Sequence, residues 1–115
     1  MAAVKQTISF EEFEKIDIRV GTILSVEDVA GSDKLVKLQV DFGDFRRQIL
    51  VGLKKERANP QEIVGKQSLF VVNLAPRTMA GEISEVMIFD IGYSDGIVPV
   101  LAVPEKAVGN GVRAG

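Results

Sequence analysis

The chain has 115 residues, 46% of them hydrophobic, and a formal net charge of −2. This length and composition predict one globular domain over residues 1–115 with its own core, and they exclude a disordered chain. Histidine and cysteine are both absent, which excludes disulfides, zinc–thiolate sites and the usual catalytic triads. We therefore expect no enzyme, no metal site and no cofactor.

The sequence contains no run of about 18 apolar residues, so we expect no membrane span. Its first ten residues contain one lysine and lack the apolar stretch of a secretory signal peptide. These two observations predict a cytoplasmic protein.

Charge is distributed unevenly along the chain. Residues 46–77 contain seven Lys or Arg and two Asp or Glu, whereas residues 1–45 contain five and nine. Residues 78–115 contain two and five. A basic middle third would attract phosphate and make binding depend on salt. The alternative is a solvated mixed surface without a binding role.

The first predicted elements are a short helix and a long strand. Ser9 and Glu12 have the spacing of a capping box, which predicts a helix N-terminus. From Ile16 to Val29 the apolar residues alternate, mostly at even positions, which predicts a strand with those residues on one face. Gly21 lies inside this strand, as expected where a strand bends or bulges.

Period-two patterns predict further strands over 36–42 and 45–51, which complete a three-stranded meander. Asn59 and Pro60 have the spacing of a helix N-terminus, and Gly65 ends that short helix. Strands are then predicted over 67–72, 86–91 and 97–103. A polar loop over 73–84 follows the fourth strand, and such loops often carry binding sites.

This element order is that of the OB-fold, an all-β, five-stranded Greek-key barrel. The predicted barrel has a short helix between strands 3 and 4, and extensions at its N- and C-termini. A small SH3-like barrel is the structural alternative, and the helix between the third and fourth strands argues against it.

The aromatic residues bear on what such a barrel binds. OB-folds hold single strands by stacking bases on exposed aromatic rings. Phe42, Phe70 and Phe89 lie on predicted core faces, and only Phe45 and Tyr93 are predicted at the surface. Recognition of a folded RNA by backbone and shape therefore fits better than generic single-strand stacking.

Two stretches resemble the tRNA-binding domain family: DIRVGTILSVEDVAGSDKLVKLQVDFG, residues 17–43, and NLAPRTMAGEISEVM, residues 73–87. That family occurs as an appended domain of methionyl-tRNA synthetases, as a stand-alone structure-specific tRNA-binding protein, and as the secretion chaperone CsaA. The resemblance implies an OB-fold and a homodimer whose terminal extensions help form the interface. Because the 115 residues contain only this domain, we expect a stand-alone member.

The resemblance also implies a tRNA-binding face and no catalytic residue. The family motifs place on this face Lys34, Asn73, Arg77, Ser84, Glu85 and Met87. From the basic middle third, phosphate contacts are expected from two pairs, Arg46 with Arg47 and Lys54 with Lys55. The expected partner is tRNA, bound by a homodimer that acts in trans with methionyl-tRNA synthetase.

A second hypothesis is a CsaA-like export chaperone that binds unfolded or precursor polypeptides. The triplet Ser84-Glu85-Val86 resembles the CsaA branch, whereas Asp33-Lys34-Leu35 resembles the synthetase branch. Apolar peptide segments would then contact Met79, Ile83 and Met87, because methionine adapts to varied partners. The sequence leaves both branches open.

Overall fold

A computed structural model describes residues 1–115 and contains one short α-helix, α1 (Phe10–Phe13), and eight strands. The strands are β1 (Ile18–Asp28), β2 (Val36–Asp41), β3 (Arg46–Val51), β4 (Gln67–Val71), β5 (Arg77–Met79), β6 (Glu82–Ser84), β7 (Met87–Ile88) and β8 (Arg113–Ala114). Three 3₁₀ turns cover Leu53–Lys55, Pro60–Ile63 and Tyr93–Asp95. None of the helices is long and apolar enough to cross a membrane.

The main sheet is antiparallel and has the strand order β3-β2-β1-β4-β7, with β8 also paired to β1. It curls into a nearly closed five-stranded barrel, which confirms the predicted all-β OB-fold. The helical segment predicted between the third and fourth strands is present as two 3₁₀ turns. Asn59 caps the second turn by accepting a hydrogen bond from the Gln61 amide, and proline follows the cap.

Strand β1 serves both halves of the barrel. Residues 18–22 pair with β4 and residues 22–28 pair with β2, with a register shift between Ile23 and Ser25. Leu24 is the extra residue of this bulge and is 37% exposed, whereas Ile23 and Val26 on either side of it are buried. The prediction that even-numbered residues share the inner face along the whole strand is therefore wrong at Leu24.

Gly21 lies in β1 just before this bulge. A Cβ atom there would lie 2.6 Å from Val40 Cγ1 and 2.8 Å from Phe42 Cε1. Close packing of β1 against the core therefore requires glycine at position 21. The register shift lies further along the strand, after Ile23.

The core consists of two groups of buried side chains. The larger group fills the barrel and contains Phe42 and Phe70, whose rings meet edge to face at 5.4 Å. The smaller group is Val29, Leu35 and Leu50, against which Met79 packs. Phe89 was predicted in the core, but its side chain is 44% exposed.

The predicted polar loop over 73–84 contains the hairpin β5–β6. Its two turn residues, Ala80 and Gly81, have φ angles of 50° and 79°. Positive φ at both positions is the signature of a type I′ turn, which matches the twist of a tight hairpin. The loop is therefore an ordered element.

The strand predicted over 97–103 does not form. The segment makes one isolated bridge, between Ile91 and Val100, and the Ala102 carbonyl accepts a hydrogen bond from the Leu69 amide. Pro99 has no amide hydrogen to donate, so it interrupts a regular ladder.

The two terminal extensions differ in how closely they contact the barrel. At the C-terminus, the Asn110 carboxamide oxygen accepts hydrogen bonds from Thr22 Oγ1 at 2.7 Å and from Gln67 Nε2 at 3.0 Å. At the N-terminus, Ser9 and Glu12 form the predicted capping box. Helix α1 buries none of its residues, and Phe10 is 77% exposed.

Candidate functional site

An open cleft of about 700 Å³ lies at one end of the barrel, between the end of β3, the β5–β6 hairpin and the 93–95 turn. This volume falls in the range of ligand sites. Its basic lining residues are Lys5, Lys34, Lys55 and Arg77. None of these four side chains forms an ion pair within the chain. The cleft therefore presents four unpaired cations beside the carboxylates that also line it.

Ser84 and Glu85 join β3 to the loop and so close the barrel beside the cleft. The buried Ser84 Oγ accepts a hydrogen bond from the Leu50 amide at 3.1 Å. Glu85 Oε1 accepts one from the Gln48 amide at 2.8 Å, and the Glu85 amide donates to the Gln48 carbonyl at 2.8 Å. Both side chains thus satisfy main-chain groups on the outer edge of β3.

Asn73 fixes the start of the same loop. Its Oδ1 accepts a hydrogen bond from the Asp17 amide at 2.9 Å, and its Nδ2 donates to the Lys15 carbonyl at 2.6 Å. The Asp17 carboxylate in turn accepts hydrogen bonds from Arg19 and Arg113. The hydrogen bond from Arg19 is the main cause that lowers the pKa of Asp17. Asn73 therefore connects the loop to β1.

Arg46 and Arg47 lie outside the cleft. They occupy the start of β3, whereas the cleft is lined by Ile49, Leu50 and Val51 in the second half of that strand. Arg47 stacks over Phe45 with its guanidinium carbon 4.5 Å from the ring centroid. Phe45 itself stacks on Phe42, so it is a partly buried support for Arg47.

The neighbouring lysines at the end of β3 differ in their contacts. Lys54 Nζ lies 3.1 Å from Asp28 and does not line the cleft. Lys55 is exposed and lines it. Of these two neighbours, Lys55 therefore lines the cleft and Lys54 pairs with Asp28.

The three apolar residues predicted for peptide binding do not all line the cleft. Met79 and Met87 line the cleft, and Met87 is 44% exposed. Ile83 is 55% exposed but does not line it. Ile83 alternates with Glu82 and Ser84 along β6, so its side chain points to the opposite face.

Three carboxylates also line the cleft, those of Glu56, Asp90 and Asp95. Burial raises the pKa of Glu56, and the nearby Asp90 raises it further. Burial likewise raises the pKa of Asp90. Glu56 Oε1 is shielded from solvent without a hydrogen-bond partner. Burial thus disfavours the charged form of these two carboxyl groups, Glu56 and Asp90.

Sequence reasoning placed Lys34, Arg77, Ser84 and Met87 together, and the fold does bring these four residues to one cleft. It missed Lys5, which reaches the cleft from the N-terminal segment. No local pattern marks Lys5, because its position depends on where that segment crosses the barrel.

Comparisons with known proteins agree with this architecture. Residues 18–113 match the family described as "Putative tRNA binding domain". A methionine–tRNA ligase from Chlorobium chlorochromatii is 49% identical over 92 residues, which are 80% of this chain and 13% of that protein. The chain thus spans about one-eighth of that relative's length.

Two solved structures are similar over nearly their whole length. One is a MetRS-related protein from Pyrococcus horikoshii, with a TM-score of 0.86, 33% identity, and coverage of 96% of this chain and 99% of that one. The other is the chaperone CsaA from Bacillus anthracis, with a TM-score of 0.82, 30% identity, and coverage of 96% and 100%. The chain belongs to the tRNA-binding domain family.

Removing the Ser84 hydroxyl tests how the barrel closes. Ser84→Ala leaves the buried Leu50 amide without its acceptor, so we expect the free energy of unfolding to fall by about 1–3 kcal/mol. Urea denaturation measures this change. Ser94→Ala is the matched control, because Ser94 is exposed in a turn and its removal should cost less than about 0.5 kcal/mol. Equal stability of the two variants would contradict the role of Ser84.

Proposed function

We propose that this chain is a non-catalytic tRNA-binding protein that recognises folded tRNA through its shape and backbone, in the cytoplasm. The observation that supports this most is the convergence of Lys5, Lys34, Lys55 and Arg77 on one cleft without acidic partners. A chain with a net charge of −2 concentrates free cations there, as a phosphate-binding surface requires.

The proposed face has two cationic groups. Lys34 and Arg77 contact phosphates at the cleft, where the exposed Met87 adds an apolar contact. Arg46 and Arg47 contact further phosphates at the opposite end of β3. Because the two groups lie at different places on the surface, they select for the shape of a folded RNA over a single phosphate.

The remaining predicted residues support this face. Ser84, Glu85 and Asn73 use their side-chain polar atoms to hold the loop against β1 and β3. Lys54 is paired with Asp28, so we assign it a weaker phosphate contact than its neighbour Lys55.

A titration with bulk tRNA at two salt concentrations tests this function. If each of the four cleft cations contacts one phosphate, affinity should fall by at least about a hundredfold between 50 and 200 mM salt. Arg77→Ala should weaken binding of all tRNAs similarly and reduce the salt slope by about 1. Lys106→Ala is the control, because Lys106 is exposed in the C-terminal segment away from the cleft. A tRNA affinity that changes neither with salt concentration nor with Arg77→Ala would refute the proposal.

A CsaA-like chaperone function is the second candidate. It is favoured by the 30% identity to the CsaA structure and by Met79 and Met87 in the cleft. An apolar unfolded peptide, titrated in parallel, separates the two functions. Peptide binding with little salt dependence and negligible tRNA affinity would favour the chaperone.

We also propose a homodimer. Helix α1 exposes Phe10, and the segment around residues 89–100 exposes Phe89, Ile91, Ile97, Val98 and Val100. Exposed aliphatic and aromatic side chains at this density are typical of an interface. A second copy of the chain would cover Phe10 and the segment 89–100.

Sedimentation equilibrium measures the dimer directly. We expect a mass of about 25 kDa, twice the 12.5 kDa of one chain. Phe10→Glu should shift the mass to the monomer, whereas Val64→Glu should not, because Val64 is exposed elsewhere on the barrel. A mass of 12.5 kDa at micromolar concentration would rule the dimer out.

We finally propose that the protein acts in trans with methionyl-tRNA synthetase. The support is its similarity to a segment of methionine–tRNA ligases. Added to a synthetase without such a domain, it should lower the KM for tRNA, because it supplies extra contacts to the same RNA. An unchanged KM at saturating protein would count against it.

A further inference from the structure

A smaller notch of about 380 Å³ adjoins the basic cleft. Its walls are mainly apolar and include Leu74, Ala75, Pro76, Val86 and Met87. Arg77 lines both the notch and the cleft, so the two are continuous at its side chain. The apolar notch therefore opens directly beside the unpaired guanidinium of Arg77.

The walls of the notch include exposed apolar side chains. Leu74 is 46% exposed and Met87 is 44% exposed. Neither is an aromatic platform, but a methionine sulfur makes favourable contacts with aromatic rings. The notch could thus hold one ring between aliphatic and thioether groups.

The rim of the notch offers main-chain donors. The amides of Leu74 and Ala75 donate no hydrogen bond to another main-chain group of the chain. Free amides beside an apolar slot can bond to the polar edge of a ring that enters it. The guanidinium of Arg77 can pair at the same time with a phosphate attached to that ring.

The notch is also preorganised. Asn73, immediately before it, is tied by two hydrogen bonds to the main chain of Lys15 and Asp17. Strand β5, immediately after it, is held in the hairpin with β6. Little ordering entropy is then lost when a ligand enters.

We propose that this notch holds one unstacked base of a bound tRNA while Arg77 pairs with the phosphate of the same nucleotide. The proposal rests on the proposed tRNA-binding function and adds a base-reading subsite to it. An apolar peptide side chain would fill the slot but would leave Arg77 without an anion, so the charge favours a nucleotide. Loops of folded RNA supply such unstacked bases.

Filling the notch tests the proposal. Ala75→Leu places three more carbons in the slot and keeps Arg77 and the cleft cations intact. We expect tRNA affinity to fall about tenfold with an unchanged salt slope, because stacking is lost while phosphate contacts remain. Ala107→Leu is the matched control, since Ala107 is an exposed alanine in the C-terminal segment. Thermal unfolding checks that both variants are folded.

A second measurement identifies the nucleotide. Loop positions of one tRNA transcript are made abasic one at a time and titrated against the wild-type chain and the Ala75→Leu variant. One position should weaken wild-type binding about tenfold and have no effect on the variant, because both changes remove the same contact.

The outcomes separate the two proposals. Salt-sensitive tRNA binding that is unaffected by Ala75→Leu would overturn the base subsite and leave the tRNA-binding function standing. Loss of apolar peptide binding in the variant, with tRNA binding unchanged, would assign the notch to a polypeptide. Absence of tRNA binding by the wild-type chain would overturn both proposals.

Discussion

The structure depends on how the free edge of β3 is satisfied. In most antiparallel barrels another strand would pair with this edge, but here Ser84 and Glu85 accept its amide hydrogens at residues 50 and 48. An unsatisfied amide in this partly buried position would cost free energy comparable to a lost hydrogen bond. The same contacts fix the loop that carries Arg77 and Met87. The hydrogen bonds that close the barrel therefore also position these two residues in the cleft.

The cleft differs from much of the remaining surface in how its cations are paired. Many cations elsewhere on the chain are paired, as Lys37 is with Glu82 and Arg57 with Glu62. The four cations of the cleft are not, although Glu56, Asp90 and Asp95 line the same cleft. Burial raises the pKa of Glu56 and of Asp90. A small net charge is therefore compatible with a strong local attraction for phosphate, because the field at a cleft depends on nearby unpaired charges.

Much of the fold could be predicted because its signals are local. Alternation from Val36 to Phe42 identified β2, and the Ser9–Glu12 spacing identified the cap of α1. Prediction failed where a long-range contact decided the outcome. The β1 bulge turned Leu24 outward, and the segment around Pro99 formed one bridge instead of a strand. The hairpin inside the polar loop was also missed, because a type I′ turn with alanine at positive φ has a weak sequence signal.

The sequence by itself determined the all-β barrel, its family motifs and the candidates Lys34, Arg77 and Met87. Only the tertiary structure decided which cations share a surface. It brought Lys5 to the cleft, kept Lys55 there while it paired Lys54 with Asp28, and placed Arg46 at the far end of β3. The physical reason is that strand patterns depend on neighbours in the chain, whereas a cleft depends on register and on how distant segments cross. Charges adjacent in sequence can therefore face different partners, and charges far apart can share one ligand.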